Sequence, residues 1–285
     1  MTKRDIRSRS SARAANQSGA RRGRVELIPA ERHARLLEIL RVRRAASIRE
    51  LADQLGGSTS TVRRDLEYLA ERGALIRSFG GAAVNEATMS TFEPDAEIAE
   101  HLEHAEKQVI GRYAAGLIAP GQSVIFDSSS TVLEAARAFA ERSVPATAVT
   151  NDLGIARVLA AARDVRVVVL GGTVRPRSGT LLGEPAERLL RDLHVDLALL
   201  GTHAITGDVL TETSLDVARV KRAMIEAARR TVVLADHTKF REPAFATICR
   251  ANEVSAVVTT RKSDRAALAR LREAGIDVHV TDVSA

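Results

Sequence analysis

Between residues 123 and 282 the chain alternates short, almost continuously apolar runs with Ala- and Leu-rich stretches of helical spacing. The runs read SVIFD, ATAVT, VRVVVLGG, VDLALLG, TVVLAD, VSAVVTT and IDVHVTD. A strand that is apolar at successive positions must be covered on both faces, and helical crossovers between parallel strands supply that cover. The pattern therefore predicts an α/β domain with a mostly parallel sheet. Composition agrees: 45% of residues are apolar, 3% are aromatic and Trp is absent, so the core must be built from Ala, Leu, Val and Ile. No repeat of fixed period runs through the chain, which argues against a solenoid.

The first 84 residues read differently. They carry 18 Lys/Arg against 9 Asp/Glu, and the rest of the chain 24 against 27, so the net charge of +6 divides into +9 and −3. Such asymmetry is the electrostatic footprint of a nucleic-acid-binding segment joined to a domain with another task. Residues 1–27 are rich in Arg, Ser, Gly and Ala without apolar periodicity, and are expected to be a disordered basic arm. Residues 28–84 form the candidate DNA-binding domain, 85–105 a polar linker containing Pro94, and 106–285 the α/β domain. One long helix is expected from about Ala96 to Ile118.

Within 28–84, Leu36, Leu37, Leu40 and Val42 fall at helical spacing. Ser47 and Glu50 then have the spacing of a capping box that opens a second helix. Gly56 and Gly57 stop it, and a third helix starts near Ser58. Two short β-prone runs around Gly80 and Gly81 read as a hairpin or wing. Three helices and a wing describe a winged helix-turn-helix, whose last helix enters the major groove with its N-terminal residues on base edges. Here those are Ser58, Thr59, Ser60, Thr61, Arg63 and Arg64, whose hydroxyl and guanidinium groups suit phosphate or guanine. Ser47, Arg77, Gly80 and Gly81 complete the candidate DNA-binding set. Val62, Leu66 and Leu69 face the core. Asp65 reads as structural, because a carboxylate near phosphates is repelled unless an Arg pairs with it.

In the α/β domain several strands end in small or polar residues where ligands collect in such sheets. Asp127 with Ser128, Ser129, Ser130 and Thr131 follows SVIF and leads into a helix, whose N-terminus offers N–H donors to an anion. Thr131 and Glu134 also have capping-box spacing. Thr150 and Asn151, Gly171 and Gly172, Gly201 to His203, and Asp236 close other strands. Lys239 lies beyond Asp236, and Lys221 sits on the helix after a loop at Thr211 to Thr213. The expected ligand carries a phosphate or another compact anion. The histidines are scattered, so no metal is expected, and no cofactor motif is present. Cys249 is the one cysteine, which fits a reducing compartment and a cytoplasmic location. No run is long enough to span a membrane.

The spacing Arg32-x3-Leu36-x3-Leu40-x17-Ser58-x2-Thr61-Val62-Arg63-Arg64-Asp65-Leu66, with Gly80-Gly81-Ala82 closing the wing, resembles the helix-turn-helix signature of the DeoR family of bacterial regulators. Residues 106 to about 260 are similar to the sensor domain of that family, which shares its fold with ribose-5-phosphate isomerase and the CoA transferases. The resemblance places Asp127, Ser130 and Thr131 at the family's D-x-G-[ST]-T loop and Thr150 and Asn151 at its TN pair. Gly171 and Gly172 fall at its LGG turn, Asp236 and Lys239 at its D-x-x-K motif, and Lys221 at its lysine before a Met-Ile helix. It implies a repressor of carbohydrate-metabolism genes that binds double-stranded operator DNA and is released by a phosphorylated sugar. The alternative is a sugar-phosphate isomerase or transferase carrying a DNA-binding segment. Three residues depart from the family pattern: Phe79 stands where His is usual, Ser129 replaces the loop glycine, and His203 replaces an acid or amide. The first bears on a wing contact, the second on how closely an anion approaches. The third weakens the enzyme alternative, because the isomerase uses a carboxylate there. One recognition helix reads few base pairs, so a homodimer or homotetramer matching paired half-sites is expected.

Overall fold

The computed structural model describes residues 27–88 and 90–283. The basic arm expected at the N-terminus lies, apart from Leu27, outside the described residues. The N-terminal unit runs α1 (Pro29–Arg43), β1 (Ala45–Ser47), α2 (Ile48–Leu55), α3 (Thr59–Glu71), β2 (Leu75–Ser78) and β3 (Gly81–Val84). Local chemistry sets the boundaries. Pro29 opens α1, where its missing N–H costs nothing. The Ser47–Glu50 capping box opens α2, and Gly56, at φ 64°, ends it in the left-handed conformation. Ser58 caps α3. The strands form an antiparallel sheet in the order β1-β3-β2. Its closeness explains Gly81: a Cβ there would lie 2.4 Å from the Ala46 carbonyl oxygen.

Leu36, Leu40, Leu51, Val62, Leu66, Leu69 and Leu75 make the core of this unit, and Ile98 and Leu102 join it from beyond the wing. The segment read as a linker therefore packs onto the DNA-binding unit. Each such side chain, fully buried, contributes about 1.5–3 kcal/mol. The single helix expected from Ala96 is broken in two, α4 (Ala96–His101) and α5 (His104–Gly116). Leu102 turns into the N-terminal core, and Glu103 takes φ 48°. The Glu103 N–H, freed by the break, donates to Glu38 Oε1 of α1 at 2.9 Å.

From α5 the chain continues through β4 (Ser123–Phe126), α6 (Ser130–Ala140), β5 (Ala146–Thr150), α7 (Leu153–Ala160), β6 (Val165–Val169), β7 (Thr173–Val174), β8 (Leu181–Leu182) and α8 (Glu184–Arg191). It then forms β9 (Leu197–Gly201), β10 (Ala204–Thr206), β11 (Val209–Glu212), α9 (Leu215–Ala227), β12 (Thr231–Leu234), β13 (Ala246–Arg250), β14 (Ala256–Thr260), α10 (Arg265–Glu273) and β15 (Asp277–Thr281). All seven apolar runs are strands of one sheet, in the order β15-β14-β12-β9-β4-β5-β6, with every neighbouring pair parallel.

The period-two geometry of a strand divides the core between two faces. Ile125, Ala198, Leu200, Val233 and Val257 pack with α8 and α9 on one side. Val124, Phe126, Leu199, Val232 and Val258 pack with α5, α6 and α7 on the other. Gly111 lets α5 approach α6, since a Cβ there would lie 2.6 Å from the Glu134 backbone. Two features were not anticipated: the β7–β8 hairpin, and a small antiparallel sheet β10-β11-β13. The latter takes Thr211 and Glu212, read as loop, into β11.

Candidate DNA interface and effector pocket

The amphipathic pattern of α3 buries Val62, Leu66 and Leu69 and leaves Thr59, Ser60, Arg63 and Arg64 exposed. No hydrogen bond or ion pair to a described residue occupies either arginine. The Ser58 hydroxyl accepts from Thr61 N–H at 3.1 Å and lies within 2.9 Å of the Ser60 and Thr61 hydroxyls, so it serves first as the helix cap. Ser47 is likewise engaged by Glu50. Arg77 pairs with Glu67 at 3.1 Å, which fastens the wing to α3. Gly80 holds φ 87° at the wing tip, where Phe79 is fully exposed.

Asp65 is turned inward. Its carboxylate accepts from Arg32 Nε at 2.5 Å and Nη2 at 2.9 Å, and contacts His33 Nε2 at 3.0 Å. Burial alone would raise its pKa, but the His33 and Arg32 hydrogen bonds outweigh it and hold the carboxyl below the usual range. This joins α1 rigidly to the recognition helix. A further set of contacts joins α3 to the segment beyond the wing: Tyr68 and Arg72 both donate to Asp95, at 3.0 and 3.1 Å.

Between the two units, at the carboxyl edge of the parallel sheet, lies a cavity of about 180 Å³. One water requires about 10–15 Å³ on the same basis. Ser128, Ser129, Ser130, Thr202, His203, Asp236 and Lys239, at or just beyond strand ends, and Lys221 from α9 border it from the sensor side. Leu37, Leu40 and Arg41 of α1 and its C-cap Arg44 border it from the N-terminal unit, and Phe92, Glu93 and Pro94 from the connecting segment.

The charged groups sort into two sets. Lys221 Nζ is held by Asp127 Oδ2, by the Gly201 carbonyl at 2.9 Å and by Glu212 Oε1 at 3.3 Å. Burial would lower its pKa, yet the two carboxylates outweigh that and keep it charged, so this lysine is already neutralised. The second set is Arg41, Lys107, Lys239 and Arg241, gathered around Asp236, with Glu103 also acting on Lys107 and Glu212 on Lys239 and Arg241. Lys107 is 3% exposed, donates to the Ala99 carbonyl at 2.5 Å, and is pushed down to about 8 by burial, with Lys239 and Arg41 adding to the fall. Arg241 donates twice to the His203 carbonyl, at 3.2 and 3.0 Å. Burial, then Arg41, lowers it to about 10. Burial, Arg241 and Lys239 push the His203 imidazole down to about 2, so the ring is neutral. Asp236 is taken by the Thr238 N–H at 2.9 Å and hydroxyl at 2.5 Å. The cavity thus carries excess positive charge, which an anion would relieve.

Other expected residues lie behind this surface. Thr131 is 2% exposed and is not a cap; Ser129 is, its hydroxyl accepting from Thr131 N–H at 3.2 Å. The Ser128 N–H is taken by Asn151 Oδ1 at 3.0 Å, and Asn151 also donates to the Leu181 carbonyl at 3.3 Å. Thr150 accepts from Asp152 N–H. Gly172, at φ 135°, leads into β7 and packs on Leu182 of β8, where a Cβ would come within 2.3 Å of the Leu182 carbonyl oxygen; Gly171 precedes it. Lys107, Arg241 and Arg41 were missed in the sequence. Arg241 has a local signal, standing two residues after Lys239. Lys107 and Arg41 sit on helices whose partners only folding supplies. Glu103, Glu106 and His237 form one grouping with metal-ligand potential. Glu106 is already engaged by His237 at 2.7 Å, Thr260 at 2.5 Å and Lys262 at 3.0 Å.

A winged helix-turn-helix joined to an α/β domain with a polar cavity at its sheet edge defines a ligand-sensing DNA-binding regulator. The DeoR-like helix-turn-helix domain matches residues 32–88 and the DeoR C terminal sensor domain residues 102–261. The chain belongs to the DeoR family of transcriptional regulators. It is 31% identical to the HTH-type transcriptional repressor GlcR of Bacillus subtilis, over 88% of this chain and 96% of that protein. It is also 31% identical to the glycerol-3-phosphate regulon repressor of Escherichia coli, over 80% and 90%. Among solved structures, ribose 5-phosphate isomerase A of Methanocaldococcus jannaschii aligns with TM-score 0.37 and 15% identity, over 49% of this chain and 55% of that one.

Proposed function

We propose that this protein represses carbohydrate-related genes by binding double-stranded operator DNA, and that a phosphorylated sugar or related metabolite in the interdomain cavity releases it. The carrying observation is the cavity's charge: Arg41, Arg44, Lys107, Lys221, Lys239 and Arg241 line it against Glu93, Glu212 and Asp236, so cations outnumber carboxylates, next to hydroxyl-bearing Ser128 and Ser130. A compact dianion matches that excess, whereas a neutral sugar leaves it unbalanced. The repressors named for glycerol-3-phosphate and other regulons support the same class of effector. Ser58 to Thr61, Arg63 and Arg64 carry DNA recognition in this reading, with Arg77, Gly80 and Gly81 placing the wing. The protein acts in the cytoplasm as a homodimer or homotetramer on paired half-sites. Among the described residues no helix is long and apolar enough to cross a membrane.

A thermal-shift panel that sets sugars beside their phosphate esters tests the effector class, and fluorescence anisotropy on operator DNA selected with the purified protein tests release. Selective stabilisation by phosphate esters, with loss of DNA affinity, is expected. Equal stabilisation by unphosphorylated sugars would overturn the effector class.

A further inference from the structure

We infer that Arg41, a residue of the DNA-binding unit, supplies part of the effector's anion site together with Lys107, Lys239 and Arg241 of the sensor, so that the effector bridges the two units directly. The inference rests on the proposed reading of the cavity as an effector site.

Three observations lead to it. The α6 N-terminus, the obvious anion site in the sequence, is already partly satisfied: Ser129 caps it, and the Ser128 N–H is bound to Asn151. Lys221, the deepest cation, is spent on Asp127 and Glu212. What remains is the group around Asp236, and Arg41 belongs to it. Arg41 borders the cavity and lies close enough to depress Lys107, Lys239 and Arg241. Its neighbour Arg44 is paired with Glu86 at 2.6 Å, but Arg41 has no carboxylate partner among the described residues. Like charges gathered with fewer carboxylates than cations repel one another, and a phosphate placed among them adds attraction for all four.

The consequence is mechanical. Arg41 is on α1, and α1 is locked to the recognition helix through the paired contacts of Arg32 and His33 with Asp65. An effector that draws Arg41 toward the sensor reorients the unit carrying α3. The effect on DNA affinity equals the effector's preference for that arrangement, commonly about 5- to 150-fold.

The test uses the full chain. The tightest-binding phosphate ester from the thermal-shift panel, and inorganic phosphate at matched ionic strength, are titrated by calorimetry without DNA into wild type, Arg41→Ala and Arg43→Ala. Arg43 shares the helix but does not border the cavity. Arg41→Ala is expected to weaken ester binding about tenfold or more, and Arg43→Ala by less than about twofold. Effector-driven release from DNA should fall in Arg41→Ala while ligand-free DNA affinity is kept. Arg41→Gln, which preserves side-chain length, is a second variant should the first fold poorly, and the same loss is expected. Wild-type ester affinity in either folded Arg41 variant overturns the bridge and leaves the effector reading intact. Failure of every ester and of phosphate to bind wild type overturns both.

Discussion

The Tyr68 hydroxyl donates to Asp95 Oδ2 at 3.0 Å, a contact between the recognition helix and the segment that walls the cavity. Arg72 donates to the same oxygen at 3.1 Å and its guanidinium lies 3.4 Å from the Tyr68 ring centre, while His33 stacks on that ring at 4.5 Å. Two residues earlier, Glu93 accepts from Thr213 at 3.1 Å and pairs with Arg175 in the sensor. The stretch from Glu93 to Asp95 is therefore anchored in the sensor at one end and in α3 at the other.

Asp95→Ala should accordingly weaken coupling more than DNA binding. The substitution leaves Tyr68 and Arg72 without their acceptor, at a cost of about 1–2 kcal/mol in urea unfolding at this partly exposed site. Anisotropy with and without the phosphate ester should show near-normal ligand-free affinity and a reduced ligand response. A full response in the variant would show that this contact carries no coupling.

Arg63→Ala should reduce operator affinity by about 1–3 kcal/mol, the worth of one good base contact, with an unchanged thermal transition. Arg63 is exposed on α3 and supports nothing in the fold. Unchanged affinity at matched salt would remove it from the interface.

Asp65 links acid stability to the recognition helix. Its folded pKa lies below the ordinary aspartate range, so its ionised contacts with His33 and Arg32 stabilise the fold above about pH 4. That contribution is lost as pH falls through the depressed folded value. Asp65→Asn should destabilise by about 1–3 kcal/mol at pH 7, and the gap from wild type should shrink below pH 4. A gap constant with pH would contradict the ionised pairing.

Lys107 predicts a pH dependence for effector binding. Burial, with Lys239 and Arg41, brings it down to about 8 against the pull of Asp236 and Glu103. An anion binds the protonated form, so affinity should be flat near pH 7 and fall above pH 8, by at most about tenfold per unit. A phosphate ester is already a dianion there, its second pKa being about 6. Calorimetry at pH 8.5 in buffers of different ionisation enthalpy should show proton uptake, and Lys107→Gln should abolish it. Identical binding enthalpies in all buffers would count against the lysine.

Gly201 and Ser129 form a matched pair. A Cβ on Gly201 would lie 2.4 Å from the Ser129 side chain, so Gly201→Ala should destabilise by about 1–3 kcal/mol. Ser129→Gly should restore much of that loss in the double variant, as for residues in direct contact. Strict additivity in urea unfolding would show that the clash is relieved elsewhere. The pair also explains how serine is accommodated at the usual loop glycine: its bulk is met by a glycine on the next strand.

Local chemistry in the sequence determined most of the elements. Apolar runs that need cover on both faces became the seven parallel strands, the Ser47–Glu50 spacing became a capping box, and the polar face of α3 is exposed. Each depends on residues a few positions apart, which carry their information wherever the chain goes. Tertiary structure decided what those elements share. The helix expected from Ala96 is broken because Leu102 finds the N-terminal core, a destination 60 or so residues back in the chain. The cavity's cations show the same dependence: Arg41, Lys107, Lys239 and Arg241 come from α1, α5 and the segment after β12, and no spacing rule connects them. Lys221 stands among the candidate ligand residues in the sequence, but folding placed it between Asp127 and Glu212. A charge becomes available for a ligand only through what lies beside it, and that is a property of packing across the chain.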